Sequence, residues 1–309
     1  MNINDILRRI SSDLDIEDIV EKLSSYPMAD LNTLLLEVFK RKSELLNPSS
    51  LNKNFKSNRF SLPSEINCLD YHKTEVKLFE LAENFNICQI LLSPVAPFGT
   101  GSLSKCVSQN NILTSLRNTE VLSDPTNMLC LLIADKINNI CKEDYTYNLC
   151  TSSRCLRTQM YKEQSFFSHF GVFCIVSTGK DGGSYLCEKE LLKFHISFYI
   201  EFLQNILHKK ISIELSKRKG YKDSDGFFLR INTFINNLYP NIEIINTSDL
   251  ENNYYKGLNF KIYIVDGSIR KEVVGGGFVD WINRLTNNNK MRCLTSAISI
   301  DSIVLICNI

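Results

Sequence analysis

The residues with chemical potential in this 309-residue chain are four histidines, eleven cysteines and two glycine-rich stretches. Histidine acts as base, acid or ligand only beside a partner at set spacing. His72, His169, His195 and His208 form no H-E-x-x-H and accompany no G-x-S-x-G, so metalloprotease and serine-hydrolase signatures are missing. His195 lies in an apolar stretch, 191–203, and reads as a structural residue. His169 stands apart, between Phe167 and Phe170 just ahead of a strand. The cysteines include no C-x-x-C pair, which argues against a zinc ribbon or a thioredoxin-like site. Cys130, Cys174 and Cys307 sit in apolar runs, and the set, Cys141 included, reads as small buried hydrophobes in a reducing compartment. Residues 177–183 contain Gly179-Lys180. A P-loop needs glycine where Cys174 stands and Ser or Thr where Asp181 stands, so a strand-end turn is expected. The triple glycine Gly275-Gly276-Gly277 is expected to mark positive φ or a close backbone approach.

The elements that must position these groups follow from apolar spacing. Ile6, Leu7, Ile10 and Leu14, then Ile19, Val20 and Leu23, keep helical period within residues 1–25. A second helix runs from Asp30 to about Leu46. A break at 47–50 and a polar, basic linker at 52–61 follow. Helices are expected over 74–84, 127–140 and 188–207. Strands are expected over 87–94, 170–177 and 260–265, with helix or strand over 298–306. Strands paired without a βαβ rhythm indicate α+β with an antiparallel sheet. The division expected is a helical extension and linker, 1–62, and a core, 63–309.

Composition sets the outer bounds. Thirty-five Lys and Arg face thirty-four Asp and Glu, giving a net charge of +1. This balance disfavours a polybasic nucleic-acid binder. The basic stretch around Lys209–Lys222 reads as a solvated face or loop, with a nucleic-acid contact as the alternative. No run approaches the ~18 apolar residues that span a bilayer, and the N-terminus lacks a signal-peptide pattern. A cytoplasmic protein without membrane contact is expected.

Three segments, in order, resemble the catalytic core of class II aminoacyl-tRNA synthetases, of the histidyl type. Residues 120–126, Glu-Val-Leu-Ser-Asp-Pro-Thr, resemble L-R-P-E-G-T. Leu156-Arg157-Thr158-Gln159, then Phe167-Ser168-His169-Phe170-Gly171, resemble motif 2, F-R-x-E…F-x-Q-x-G-x-E. Tyr254-Tyr255-Lys256-Gly257 and Gly275–Asp280 resemble Y-Y-T-G and G-G-G-R-Y-D. The helix, strand and proline at 74–94 suit motif 1, a dimer contact in that family. The resemblance implies a class II synthetase-like antiparallel sheet flanked by helices, and a homodimer. It implies a ligand pocket built from Arg117, Glu120, Asp124, Thr126, Arg157, Gln159, His169, Tyr254, Tyr255, Gly275, Gly276, Gly277 and Asp280. Arg157 would clamp carboxylate and α-phosphate.

The departures are chemical. His169 and Phe173 stand where the family receives the substrate ammonium with Gln and Glu. Leu250 and Ser302 stand where the family has catalytic and γ-phosphate arginines. ATP binding is therefore weakened as an expectation, although not removed, and the motif 2 loop is about two residues shorter. The chain's length leads us to expect no anticodon-binding domain after the core, as the resemblance implies for the regulatory subunit of ATP phosphoribosyltransferase. The reading is a paralogue without aminoacylation that binds a small anionic ligand or a partner enzyme in a regulatory role. An adenylating ligase for a non-histidine carboxylate is the alternative. A tRNA-binding accessory factor is the third, and nucleic acid is not expected as the main partner.

Overall fold

The computed structural model describes residues 2–139, 146–159, 168–251 and 253–307. Cys141, Ile140, Phe167 and the motif 2 loop lie outside them. Helices α1 (Ile3–Leu14), α2 (Ile19–Ser24), α3 (Met28–Glu44) and α4 (Pro48–Ser57) open the chain. The expected break and linker at 47–61 are largely α4. Pro48 occupies its first turn, where no N–H is needed, and Asn47 caps it through Ser50 in a reciprocal pair. Asp15 and Asp18 adopt positive φ and separate α1 from α2.

The core begins at α5 (Cys68–Asn84), capped by Asn67. Then come β1 (Cys88–Gln89), β2 (Val95–Pro97), α6 (Thr100–Leu103), β3 (Thr119–Val121), α7 (Pro125–Asn139), β4 (Tyr147–Leu156) and β5 (His169–Lys180). Next are α8 (Leu186–Ile200), continued by a π-turn over 201–206, β6 (Ile211–Lys217), α9 (Ser224–Leu238) and β7 (Glu243–Ser248). The chain closes through β8 (Leu258–Asp266), β9 (Ile269–Phe278), α10 (Trp281–Thr286), β10 (Met291–Ser299) and α11 (Ile300–Cys307).

Eight strands form one mixed sheet in the order β1-β4-β5-β10-β9-β8-β6-β7. Its six inner strands pair antiparallel, as expected, while β1 and β7 join the edges in parallel. Of the two alternatives expected for the triple glycine, positive φ does not hold: the stretch lies inside β9 with no positive φ. The basic stretch encloses β6, and Arg218 at its end is buried, bonded to Asn259 and paired with Asp249. The periodicity of Ile211, Ile213 and Leu215 places those side chains in the core despite the flanking charges.

Side-chain alternation gives the sheet two faces. Phe173 and Ile175 join Phe260, Ile262 and Ile298 beneath α5, α8, α9 and α11. Cys174 and Val176 point the other way, toward α7, α10 and the β2–β3 ribbon.

Candidate functional site

The side that carries α7 gathers five of the expected residues. Asp124 precedes α7, and its Oδ1 accepts from the Thr126 amide at 2.9 Å and the Thr126 hydroxyl at 2.6 Å. A carboxylate at a helix start is favoured there by the exposed amides. Its Oδ2 faces the Arg157 guanidinium at 3.4 Å. Arg157 also donates from Nε to the Ser123 carbonyl at 2.9 Å, and its guanidinium lies over the Phe170 ring. Tyr254 and Tyr255 adjoin this pair, their ring centroids 4.8 Å apart. Burial, with Cys106 and Asp124 nearby, pushes both phenols well above the ordinary tyrosine range.

Gly277 explains why glycine is needed beneath the tyrosines. A Cβ there would sit 2.5 Å from the Tyr255 ring and 2.7 Å from Asn259. The glycine signal was a close approach, made on a strand. Gly276 faces the opposite side, against Phe260 and Ser296, whereas Gly275 borders only the end of Glu272.

The other expected residues are placed elsewhere. Arg117 is exposed in the loop just before β3, where its amide bonds Asn32. Glu120 is buried, and its two oxygens accept from the Gly99 and Gly101 amides at 2.9 Å each. That carboxylate orders the loop before α6. Gln159 is exposed, and its carbonyl accepts from Arg59. Asp280 pairs with Lys256 at 3.4 Å and lines a separate cavity of about 270 Å³ with Tyr221 and Asn283.

His169 falls on the far face. Register sets it opposite Leu156, two residues from Gly171, where a Cβ would meet the Tyr71 ring of α5. Arg154 Nη2 lies 2.8 Å from His169 Nδ1. An arginine only donates, so Nδ1 accepts and Nε2 donates to the Leu62 carbonyl at 2.7 Å. Arg154 also pairs with Asp301, a carboxyl raised by its burial. Phe173 shares that face, stacked on Phe198 and edge-on to Phe79. Neither residue takes part in the Asp124–Arg157 cluster.

Sequence reasoning missed Cys106. Its thiol donates to Asp124 Oδ2 at 3.0 Å, and burial followed by the Asp124 charge raises it well above the ordinary thiol range. The thiol therefore stays protonated and serves as a donor rather than a nucleophile. It sits in an irregular loop with no local pattern to signal it. Arg59 was missed too: it donates to Thr158 O and, at 2.6 Å, to the Ser168 hydroxyl, bracing the base of the motif 2 hairpin.

The eight-stranded sheet and its flanking helices match solved structures across most of the chain. The fold is that of class II synthetase cores. Apo S. aureus histidyl-tRNA synthetase matches 80% of this chain and 70% of its own, with TM-score 0.59 and 14% identity. The ATP phosphoribosyltransferase regulatory subunit/histidyl-tRNA synthetase from Bacillus halodurans C matches over 81% and 83%, with TM-score 0.58 and 12% identity. A threonyl-tRNA synthetase, ThrRS-1 from Aeropyrum pernix, gives TM-score 0.61 and 13% identity over 77% of this chain and 59% of its own. No family model and no curated protein matches the sequence. No helix of the described residues is long and apolar enough to cross a membrane. No three-residue His, Cys, Asp and Glu cluster suited to a metal occurs among them either.

Proposed function

We propose that this class II synthetase-like chain is a histidyl-type paralogue that does not charge tRNA. It binds a small anionic ligand at the Asp124–Arg157–Tyr254–Tyr255 cluster. One observation carries the reading. Arg157, the cation retained in the hairpin, is engaged by the protein's own Asp124 and Ser123. Leu250 and Ser302 supply no further positive charge at the two positions where the resemblance expects arginine. Removing one such donor from a transition state costs roughly 10²-fold or more, so adenylation is not sustained. A ligand carboxylate or phosphate instead exchanges with Asp124 for the guanidinium.

The ATP phosphoribosyltransferase regulatory subunit among the similar structures supports a regulatory role beside a partner enzyme. The proposal includes a division at residue 62, a cytoplasmic setting that keeps thiols such as Cys106 reduced, and nucleic acid as no more than a minor partner. Pyrophosphate exchange with ATP and each of the twenty amino acids tests it. No exchange above background is expected. Robust exchange with any of them establishes the adenylating ligase instead. Calorimetric titration with ATP, histidine and inorganic phosphate, each against wild type and Arg157→Ala, then tests the site. Binding that survives the substitution removes Arg157 from it.

A further inference from the structure

Helices α1 to α4 contain no buried side chain. Yet fifteen of the twenty-seven exposed large hydrophobics among the described residues lie in residues 1–62. They recur at helical spacing: Ile3, Ile10 and Leu14 on α1, then Leu34, Val38 and Leu45 along α3 and its cap. None of the four helices packs extensively against another element of the chain. Polar ties join the segment to the core: Asn32 to Asn118 at 2.5 Å, Asn32 to the Arg117 amide, Arg59 to the hairpin base and the Leu62 carbonyl to His169. Helices α1, α2 and α4 have 12, 6 and 10 residues. Isolated helices shorter than about 12–15 residues are marginal in water, so this apolar surface needs a cover.

Charge indicates what the cover is. Residues 1–30 carry seven carboxylates against three cations, and residues 31–62 carry six cations against two carboxylates. A segment with one acidic and one basic half is complementary to itself when reversed. A two-fold pairing sets each half against its opposite in the other copy, as an isologous interface requires. We propose that the N-terminal helices form a docking surface for a second copy of this chain, α1–α2 of one facing α3–α4 of the other, with the apolar stripes between them. The inference is independent of the ligand site.

Sedimentation equilibrium on the full chain tests it with two charge-reversed variants at exposed positions. Lys40→Glu, Lys42→Glu and Lys53→Glu make both halves acidic. Asp13→Lys, Glu17→Lys and Glu21→Lys make both halves basic. The wild type is expected to be a dimer, and each triple variant to dimerise at least tenfold more weakly. An equimolar mixture of the two variants is expected to recover a one-to-one heterodimer of wild-type affinity. Three results overturn the proposal: a monomeric wild type, with or without affinity for anionic vesicles; either variant dimerising as tightly as wild type; or a mixture that fails to pair.

Discussion

The two faces of the central sheet each hold a polar cluster, and the clusters are built differently. On the helix side, His195 is fully buried between the Ser296 hydroxyl at 2.7 Å and the Ser177 hydroxyl at 2.9 Å, and Tyr199 adds a third hydroxyl to Ser296 at 2.8 Å. Every member is neutral. On the α7 side, Asp124 and Arg157 are charged, and each remains partly exposed. A closed network of neutral groups fixes the sheet against α8. A charged pair at an accessible rim can exchange one partner for a ligand. The difference separates a scaffold network from the cluster proposed as the site more sharply than polarity alone does.

The largest effect is expected on the closed side. His195→Leu leaves the Ser177 hydroxyl without its imidazole partner and Ser296 with Tyr199 alone, and should cost about 3 kcal/mol in urea unfolding. Burial lowers the wild-type imidazole to about 3, far below its unfolded value. The unfolded chain therefore binds a proton there, and the folded chain does not, between roughly pH 6.5 and pH 3. Stability from this group is complete above the unfolded value and falls as pH drops through it. About 2 kcal/mol should disappear between pH 6.5 and 5, and His195→Leu should flatten that slope. An unchanged slope in the variant assigns the acid sensitivity to other groups and breaks the contrast between the faces.

Next in size is Gly277→Ala. The added methyl meets the Tyr255 ring and Asn259 at distances that cannot be held without movement. Overpacking of this kind costs about 2 kcal/mol. A displaced Tyr255 disturbs the cluster beside it, so ligand affinity should fall beyond what the stability loss explains. Gly275→Ala, which meets only the end of Glu272, should be nearly silent in both measurements. Equal effects from the two substitutions would show that backbone freedom, rather than the tyrosine contact, selects glycine here.

These contrasts also mark how far the sequence was legible. The antiparallel inner sheet, α3, α5 and the buried His195 follow from apolar period and composition, because burial of one face imposes that period. The parallel edges did not emerge, since strands as short as Cys88–Gln89 carry too few residues to show any. Pro48 read as a break because proline suits both the start of a helix and its interruption. The proposed site was legible only in part: Asp124, Thr126, Arg157, Tyr254 and Tyr255 lie together, as the segments singled out in the sequence led one to expect. His169 was misplaced because strand parity decides its face. One residue reverses that parity, and the expectation rested on motif spacing rather than on which neighbours were core. Cys106 carried no signal, because its role depends on tertiary proximity to Asp124 alone.

The smallest effect on folding, and the most informative on function, belongs to Arg157. Its side chain is a quarter exposed, so solvent screening reduces the worth of its pair with Asp124. Arg157→Ala should therefore cost roughly 1 kcal/mol or less in stability. Arg157→Lys sharpens the test. The guanidinium reaches the Ser123 carbonyl through Nε and the Asp124 carboxylate through Nη2 at once, whereas an ammonium is a single point of charge without that fork. Lysine should hold stability near wild type while ligand affinity drops about tenfold, measured by calorimetry beside thermal unfolding. If the two measurements fall together in both variants, Arg157 belongs to the scaffold as His195 does, and the two faces of the sheet do not differ in kind.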